Sequence, residues 1–358
     1  MRIVPIYCIK DDFLLAKDIF DFDGRILLKQ GNRLNKKTLD SIKLLGINCL
    51  NVVDQNSYIE LENIIKPELK EKSLNLIKST FGNLFSNKKS TKKSNDFQKI
   101  LDLSEELIDD ILNRNDILIN LVDIKTLDNY TYEHSVNVAM LSLVIGLKLG
   151  LNREDLKQLC VGALLHDVGK MFIPTEILNK PSKLSQEEFK VIRSHPIRGY
   201  DYLKNIENIP LKSRLIVIEH HEKVNGCGYP LYKKNKEINI LSKIVAIADV
   251  YDALTSNRPY RKPLSPNEAL EFILGNAGSH FDFYLVKIFK CTIVPYPNGS
   301  LVKLNTGEIA IVKDNFNNFP LRPNIEIIKT SNNFNLGKKI NLRENLSLVI
   351  NEVAYNIL

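Results

Sequence analysis

Six histidines, His134, His166, His195, His220, His221 and His280, all fall inside one helix-patterned stretch of this 358-residue chain, and none lies outside it. Their placement constrains the fold more than any other feature. His134 shares a helical stripe with Val138, Leu141 and Ile145, which puts it on the face turned to a core. His166 and Asp167 end a second helix pattern whose apolar stripe runs Leu156, Leu159, Cys160 and Ala163. Asp249 sits in the apolar run from Ile244 to Val250, where an unpaired carboxylate would be costly. Each residue alone has an ordinary explanation, a hydrogen-bonded core histidine or a capping aspartate. Together they share one cause, because imidazoles and carboxylates turned into a core become favourable when they coordinate a cation. Seven such ligands exceed what one site usually takes from protein, so two cations fit better. A hydroxide held between two cations has a lowered pKa and is available as a nucleophile at neutral pH.

The chain around this stretch divides into further modules. Residues 1–60 read as a small α+β module. In it, Ile19-Phe20 and Ile26-Leu27-Leu28 flank the turn dipeptide Asp23-Gly24. Asn35 caps a short helix through Leu39, Ile42 and Leu45 ended by Gly46, and a strand follows from Cys49 to Val53. Residues 61–115 read as a helical connector interrupted by SNKKSTKKSN (86–95), a lysine-rich run without acidic or apolar residues that reads as solvated linker. Residues 116–290 are helical nearly throughout, with capping boxes starting at Ser185 and Ser265. Residues 291–358 switch to a small β module with a hairpin around Asn305-Thr306-Gly307. The expected fold class is therefore multidomain and mainly α.

Composition excludes several classes. Cys8, Cys49, Cys160, Cys227 and Cys291 are scattered, odd in number and never paired as CxxC, which argues for reduced thiols and against a disulfide framework or zinc ribbon. No apolar run reaches the ~18–20 residues of a membrane span, and the N-terminus does not open a signal peptide, so a cytoplasmic protein is expected. The net charge of +7 decides nothing by itself. Direct DNA binding is not expected, since the basic run lacks interleaved aromatics and no helix-turn-helix or finger spacing occurs.

The ordered motifs YTYEHSVNVA (130–139), HDVGK (166–170), His195-Pro196, HHEKVNGCGYP (220–230) and DVYDALTSNRPYR (249–261) resemble the HD-GYP family of cyclic di-GMP phosphodiesterases, within the HD phosphohydrolase superfamily. The resemblance covers residues 115–290. It implies an all-helical HD-type metal-dependent phosphohydrolase core carrying a centre of two or three divalent cations, Fe or Mn, of which the seven ligands here fit two. It also implies hydrolysis of the bacterial second messenger cyclic di-GMP to pGpG and/or GMP. By the same resemblance His134, His166, Asp167 and Asp249 bind one metal, and His195, His220 and His221 the other, with Asp167 bridging. Asp167 and Lys170 are then the catalytic candidates, and Lys170, Tyr229, Arg258 and Arg261 the substrate contacts. Residues 14–31 resemble a segment that often precedes such domains.

Some positions depart from the pattern. Tyr130 stands where three-metal members carry glutamate, which argues for two cations and no third, and Asn225 and Asn257 stand where aspartate is expected. His280 is read as structural. Alternatives are a hydrolase of another cyclic dinucleotide such as cyclic GMP-AMP, or a non-catalytic receptor, although degenerate receptors commonly lose ligands that are all present here. The terminal modules are candidate surfaces for a homodimer, for partner docking or for packing on the active domain.

Overall fold

The structure is a computed structural model that describes residues 2–9, 13–20, 26–44, 47, 49–53, 65–82, 90–113, 130–178, 180, 182–256, 264–316, 318–331 and 335–354. The chain divides into two compact units. One gathers Met1–Asn63, Asn120–Asp128 and Ile293–Leu358, and the other Ile64–Ile119 and Asn129–Thr292.

In the first unit, strands β1 (Arg2–Pro5), β2 (Leu14–Leu15) and β5 (Cys49–Val53) form an antiparallel sheet in the order β1-β5-β2. Strands β3 (Ile19–Phe20) and β4 (Ile26–Leu28) pair antiparallel as the turn dipeptide implied, although Asp23-Gly24 itself lies outside the described residues. Helix α1 (Lys36–Leu44) is capped by Asn35, whose side chain accepts the Thr38 N–H at 2.9 Å. Its Leu39 and Ile42 pack with Val4, Leu15, Leu34 and Val52 in a small core. The expected terminator, Gly46, also lies outside the described residues.

Among the described residues, the regular elements of the second unit are helices. Helix α2 (Pro67–Gly82) packs on α3 (Ser90–Leu112) and on α4 (Tyr130–Leu149), so the helices read as a connector belong to the same compact unit as those that follow. The lysine-rich run is not linker throughout: α3 takes in residues 90–95. That stretch lacks Gly and Pro, and lysine is a good helix former, so the helix extends outward from the apolar stripe through Phe97, Ile100 and Leu107. Helix α5 (Arg153–Leu165) starts where Asn152 accepts the Asp155 N–H at 2.8 Å, and it is buried continuously from Leu159 to Leu165. Helices α6 (Thr175–Leu178), α7 (Gln186–Arg193), α8 (His195–Leu203), α9 (Leu211–Glu219), α10 (Ile240–Thr255), α11 (Pro266–Gly275) and α12 (Phe283–Lys290) complete the unit. Helix α7 opens with the expected reciprocal pair, the Ser185 N–H on Glu188 and the Glu188 N–H on the Ser185 hydroxyl. Helix α5 packs between α4 and α9, while α10 packs on both α4 and α9. Both α5 and α10 are buried on more than one face, so their apolar residues recur without clear amphipathic period.

The C-terminal part of the first unit is a five-stranded antiparallel sheet. It contains β6 (Leu301–Leu304), β7 (Ile309–Asp314), β8 (Asn324–Lys329), β9 (Lys339–Asn341) and β10 (Ile350–Val353), in the order β10-β6-β7-β8-β9. The β6–β7 hairpin turns at Gly307, whose φ of +87° suits a residue without Cβ. Val302, Leu304, Ala310, Val312, Ile325 and Ile327 form its core.

One close approach positions the candidate site. After α5 the chain makes a 3-10 turn, Val168–Phe172, against the start of α8, and a Cβ on Gly169 would lie 1.9 Å from the His195 carbonyl oxygen. Gly169 thus does more than end a helix: it lets Asp167 and His195 stand side by side. Gly169→Ala is expected to lower stability by on the order of 3 kcal/mol, because both colliding groups are backbone. Urea denaturation of the variant is the check, and an unchanged midpoint would contradict the packing described.

Candidate metal centre

Helix ends supply most of the site. His166 follows the last turn of α5 with Asp167 next to it, His195 opens α8, and His220 and His221 follow α9. His134 comes from the second turn of α4, and Asp249 from the middle of α10. His134, His166, Asp167, His195, His220 and Asp249 are all buried, while His221 is partly open. The seven residues expected to bind metal therefore come together.

Three imidazoles are oriented by the same device. The Nδ1 atoms of His166, His195 and His220 lie 2.8, 2.8 and 2.9 Å from the carbonyl oxygens of Ala163, Ile192 and Val217, each three residues earlier. A carbonyl can only accept, so Nδ1 carries the proton and Nε2 presents a lone pair to the centre. Two of those lone pairs, on His195 and His220, face each other at 3.2 Å. His166 Nε2 and Asp167 Oδ1 have no hydrogen-bond partner among the described residues. Such a set of convergent, unsatisfied acceptors is repulsive alone and becomes attractive around a cation.

Asp167 lies between two groups. Its Oδ2 is 3.3 Å from His166 Nε2 and 3.8 Å from His134 Nε2, whereas its Oδ1 is 3.4 Å from His195 Nε2 and 3.9 Å from His220 Nε2. His134, His166 and Asp167 offer ligand atoms within 4.8 Å of one another, and so do His195, His220 and His221. Metal bonds of about 2.1 Å put adjacent ligand atoms roughly 3–4 Å apart, so both groups fit a cation with little movement. Asp249 also spans the pair, with Oδ1 3.0 Å from His134 Nε2 and Oδ2 3.8 Å from His221 Nδ1. Lys170, in the 3-10 turn, places its ammonium 2.5 Å from Asp167 Oδ2.

Electrostatics favour the metal-ready protonation states. Burial pushes His195 down to about 4 and His221 down to about 3, and drives His220 down as well. Burial works against ionisation of Asp167, but Lys170, His166 and His195 outweigh it and hold the carboxyl well below the usual range. His134 is the exception. Its burial is overcome by Asp249 and Asp252, which raise it to about 9.

Asp252 was not singled out from the sequence. Its Oδ2 lies 2.7 Å from His134 Nδ1 and its Oδ1 accepts from Asn137 Nδ2 at 3.1 Å, all three residues being buried. A carboxylate here fixes the ring so that Nε2 points to Asp167 and Asp249. The signal was present: Asp252 follows Asp249 by three residues on an apolar helix, hence on the same face. Two buried glutamates were also missed. Glu219 accepts from Lys233 Nζ, the Asn239 N–H and Ser242 Oγ, and Glu222 accepts from the Leu231 and Lys233 N–H groups. They lace the loop after His221, in which Tyr229 stacks on His221 with centroids 4.7 Å apart. Gly228 permits this path, since a Cβ there would lie 2.4 Å from Glu222 Cα. Its close approach is therefore to its own chain. Arg258, Arg261 and Asn257 lie outside the described residues. His280 braces the same loop, its carbonyl accepting the Val224 N–H while its ring stacks on Phe281.

Two outcomes are expected from this geometry. Asp252→Ala should weaken metal affinity by about 10–100-fold with Asp252→Asn intermediate, read by chelator competition; equal affinities would remove Asp252 from the support of His134. The metal-free protein should lose stability as pH falls from about 6.5 towards 4. In that window unfolded His195, His220 and His221 take up protons that the folded state refuses, whereas His134 is protonated in the folded state already and changes nothing there. Urea midpoints at several pH values test this, and a midpoint that rises on acidification would contradict it.

Comparison with known proteins agrees with this arrangement. A family model described as an HD domain matches residues 110–285, and one described as a KOW domain associated with HD domain matches residues 301–356. A cyclic di-GMP phosphodiesterase of Pseudomonas aeruginosa is 35% identical over 226 residues, covering 63% of this chain and 54% of that protein. The cyclic di-GMP phosphodiesterase PdeB of Borreliella burgdorferi is 32% identical over 200 residues, 56% of this chain and 52% of that one. The 3'3'-cGAMP-specific phosphodiesterase 1 of Vibrio cholerae is 36% identical over 170 residues, 46% of this chain and 38% of that one. The chain spans about half the length of the first two of these relatives and less of the third. Through residues 110–285 the chain belongs to the HD domain family, and its motifs put it in the HD-GYP branch.

Proposed function

We propose that this chain is a metal-dependent phosphodiesterase that hydrolyses cyclic di-GMP to pGpG and/or GMP. The observation that carries the reading is Asp167, whose two carboxylate oxygens face two separate histidine groups. Residues 116–290 form the proposed catalytic domain, flanked by modules at 1–60 and 291–358. His134, His166, Asp167 and Asp249 would hold one cation and His195, His220 and His221 the other, with Asp167 shared. Fe and Mn suit a donor set of imidazole nitrogens and carboxylate oxygens. Tyr130, at the head of α4 one turn before His134, offers a neutral phenol, which supports two cations without a third. When bound, the cations supply Lewis-acid charge to the phosphoryl oxygens and acidify water.

The chain's own groups do the rest. Carbonyl-anchored imidazoles keep their lone pairs inward without rearrangement, which is the preorganisation that electrostatic catalysis requires. Lys170, beside Asp167, is within reach of a phosphate bound there and adds positive charge where negative charge develops. Tyr229, Arg258 and Arg261 are the proposed contacts to the rest of the substrate. A cytoplasmic setting is supported by Cys160 and Cys227, which are thiols rather than disulfides. No helix among the described residues is long and apolar enough to cross a membrane.

A second reading, cleavage of cyclic GMP-AMP, is favoured by the name of the Vibrio cholerae relative. Anaerobically purified protein loaded with Fe²⁺ or Mn²⁺ should cleave cyclic di-GMP, and product identification separates pGpG from GMP. Equal or faster cleavage of 3'3'-cyclic GMP-AMP would select the second reading, and cleavage of neither would defeat both. Asp167→Ala should abolish turnover and lower metal content while leaving helical content in place. Near-normal turnover by that variant would remove the shared carboxylate from the mechanism.

A further inference from the structure

A line of stacked side chains leads away from the histidine cluster. Tyr229 stacks on His221 at 4.7 Å, the Arg193 guanidinium carbon lies 4.8 Å from the centre of the Tyr229 ring, and the same carbon lies 4.6 Å from the centre of the Phe189 ring. Phe189 and Arg193 are one turn apart on α7, and both are exposed. Helix α7 ends two residues before His195, so the cation is tied to the site through the chain as well as through the stack.

Among the described residues no carboxylate pairs with Arg193 and no hydrogen bond engages it. Arg153, by contrast, is held by Glu105 and Asp109, and Arg198 by the Ser194 hydroxyl and the Phe172 carbonyl. A guanidinium lying over aromatic rings keeps its edge of N–H donors available, and its orientation is set in advance. That fork matches the two non-bridging oxygens of a phosphodiester. Two side-chain cations therefore stand near the cluster: Lys170 at Asp167, and Arg193 beyond Tyr229.

A cyclic dinucleotide carries two phosphodiesters on opposite sides of one ring, and only one can lie at the metal centre while it is cleaved. We infer that Arg193 binds the other phosphodiester, held in place by Phe189 and Tyr229, and so favours cyclic dinucleotides over diesters with a single phosphate. The inference rests on the proposed phosphodiesterase function. It adds a residue that the motifs of the family do not contain.

The experiment compares wild type, Arg193→Ala and Arg193→Lys on cyclic di-GMP, on 3'3'-cyclic GMP-AMP and on bis(p-nitrophenyl) phosphate, a diester with one phosphate. For Arg193→Ala, kcat/KM on the better cyclic dinucleotide should fall by about 10–100-fold, mostly through KM. The loss on bis(p-nitrophenyl) phosphate should be several-fold smaller. Arg193→Lys, which keeps the charge but not the fork, should fall between the two. Metal content and thermal midpoint report whether the variants keep the fold.

Unchanged KM on the cyclic substrate would overturn the inference. So would equal losses on both substrate types, because they would mark Arg193 as a support for the Tyr229 loop. If wild type cleaves bis(p-nitrophenyl) phosphate but neither cyclic dinucleotide, the substrate assignment itself falls, and the inference with it. That result appears in the wild type alone, before any variant is read.

Discussion

The rest of the helical unit depends on a buried electrostatic conflict. Five histidines and two aspartates face one another where water is scarce, and at least three of the imidazoles present lone pairs because their Nδ1 protons are committed to carbonyls one turn back. Burying even one unpaired ion costs several kcal/mol, so a fold would not retain this cluster by packing alone. Cations resolve the conflict, and they do so only if the imidazoles stay neutral. Burial keeps His195, His220 and His221 in that form.

The surrounding helices make the cluster tolerable. Helices α4, α5 and α10 are apolar on more than one face, and each fully buried Leu or Ile contributes about 1.5–3 kcal/mol, enough in sum to offset the polar centre. Support is also specific. Asp252 orients His134, Gly169 allows the 3-10 turn to touch α8, and Glu219 and Glu222 tie down the loop that carries Tyr229. These residues need not touch substrate to matter. They determine whether ligand atoms arrive within a bond length of a common point, which is what metal affinity and the proposed chemistry both require.

The flanking modules follow a different logic. Each is a small antiparallel assembly with its own apolar core, one around Val4, Leu34 and Val52 and the other around Val302, Ala310 and Ile327. Residues 301–356, which hold the second of these cores, are the part that matches a KOW domain associated with HD domain.

Much was legible in the sequence because the determining signals are local. Helical stripes interrupted by His134, by His166-Asp167 and by Asp249 announce a polar centre in an apolar core, and turn residues and caps announce the hairpins and helix starts. The lysine-rich run, expected as linker, continues α3 through its second half: its composition reports solvation, which an exposed end of a helix satisfies as well as a linker does. What only the tertiary structure decided concerns pairs far apart in sequence. Asp252 meets His134, Gly169 meets His195, and Arg193 meets Tyr229, although nothing in their spacing couples them. Side-chain type and periodicity tell which face a residue occupies. Which residue stands opposite, and which oxygen of Asp167 faces which histidine, is set by the packing of five helices against one another.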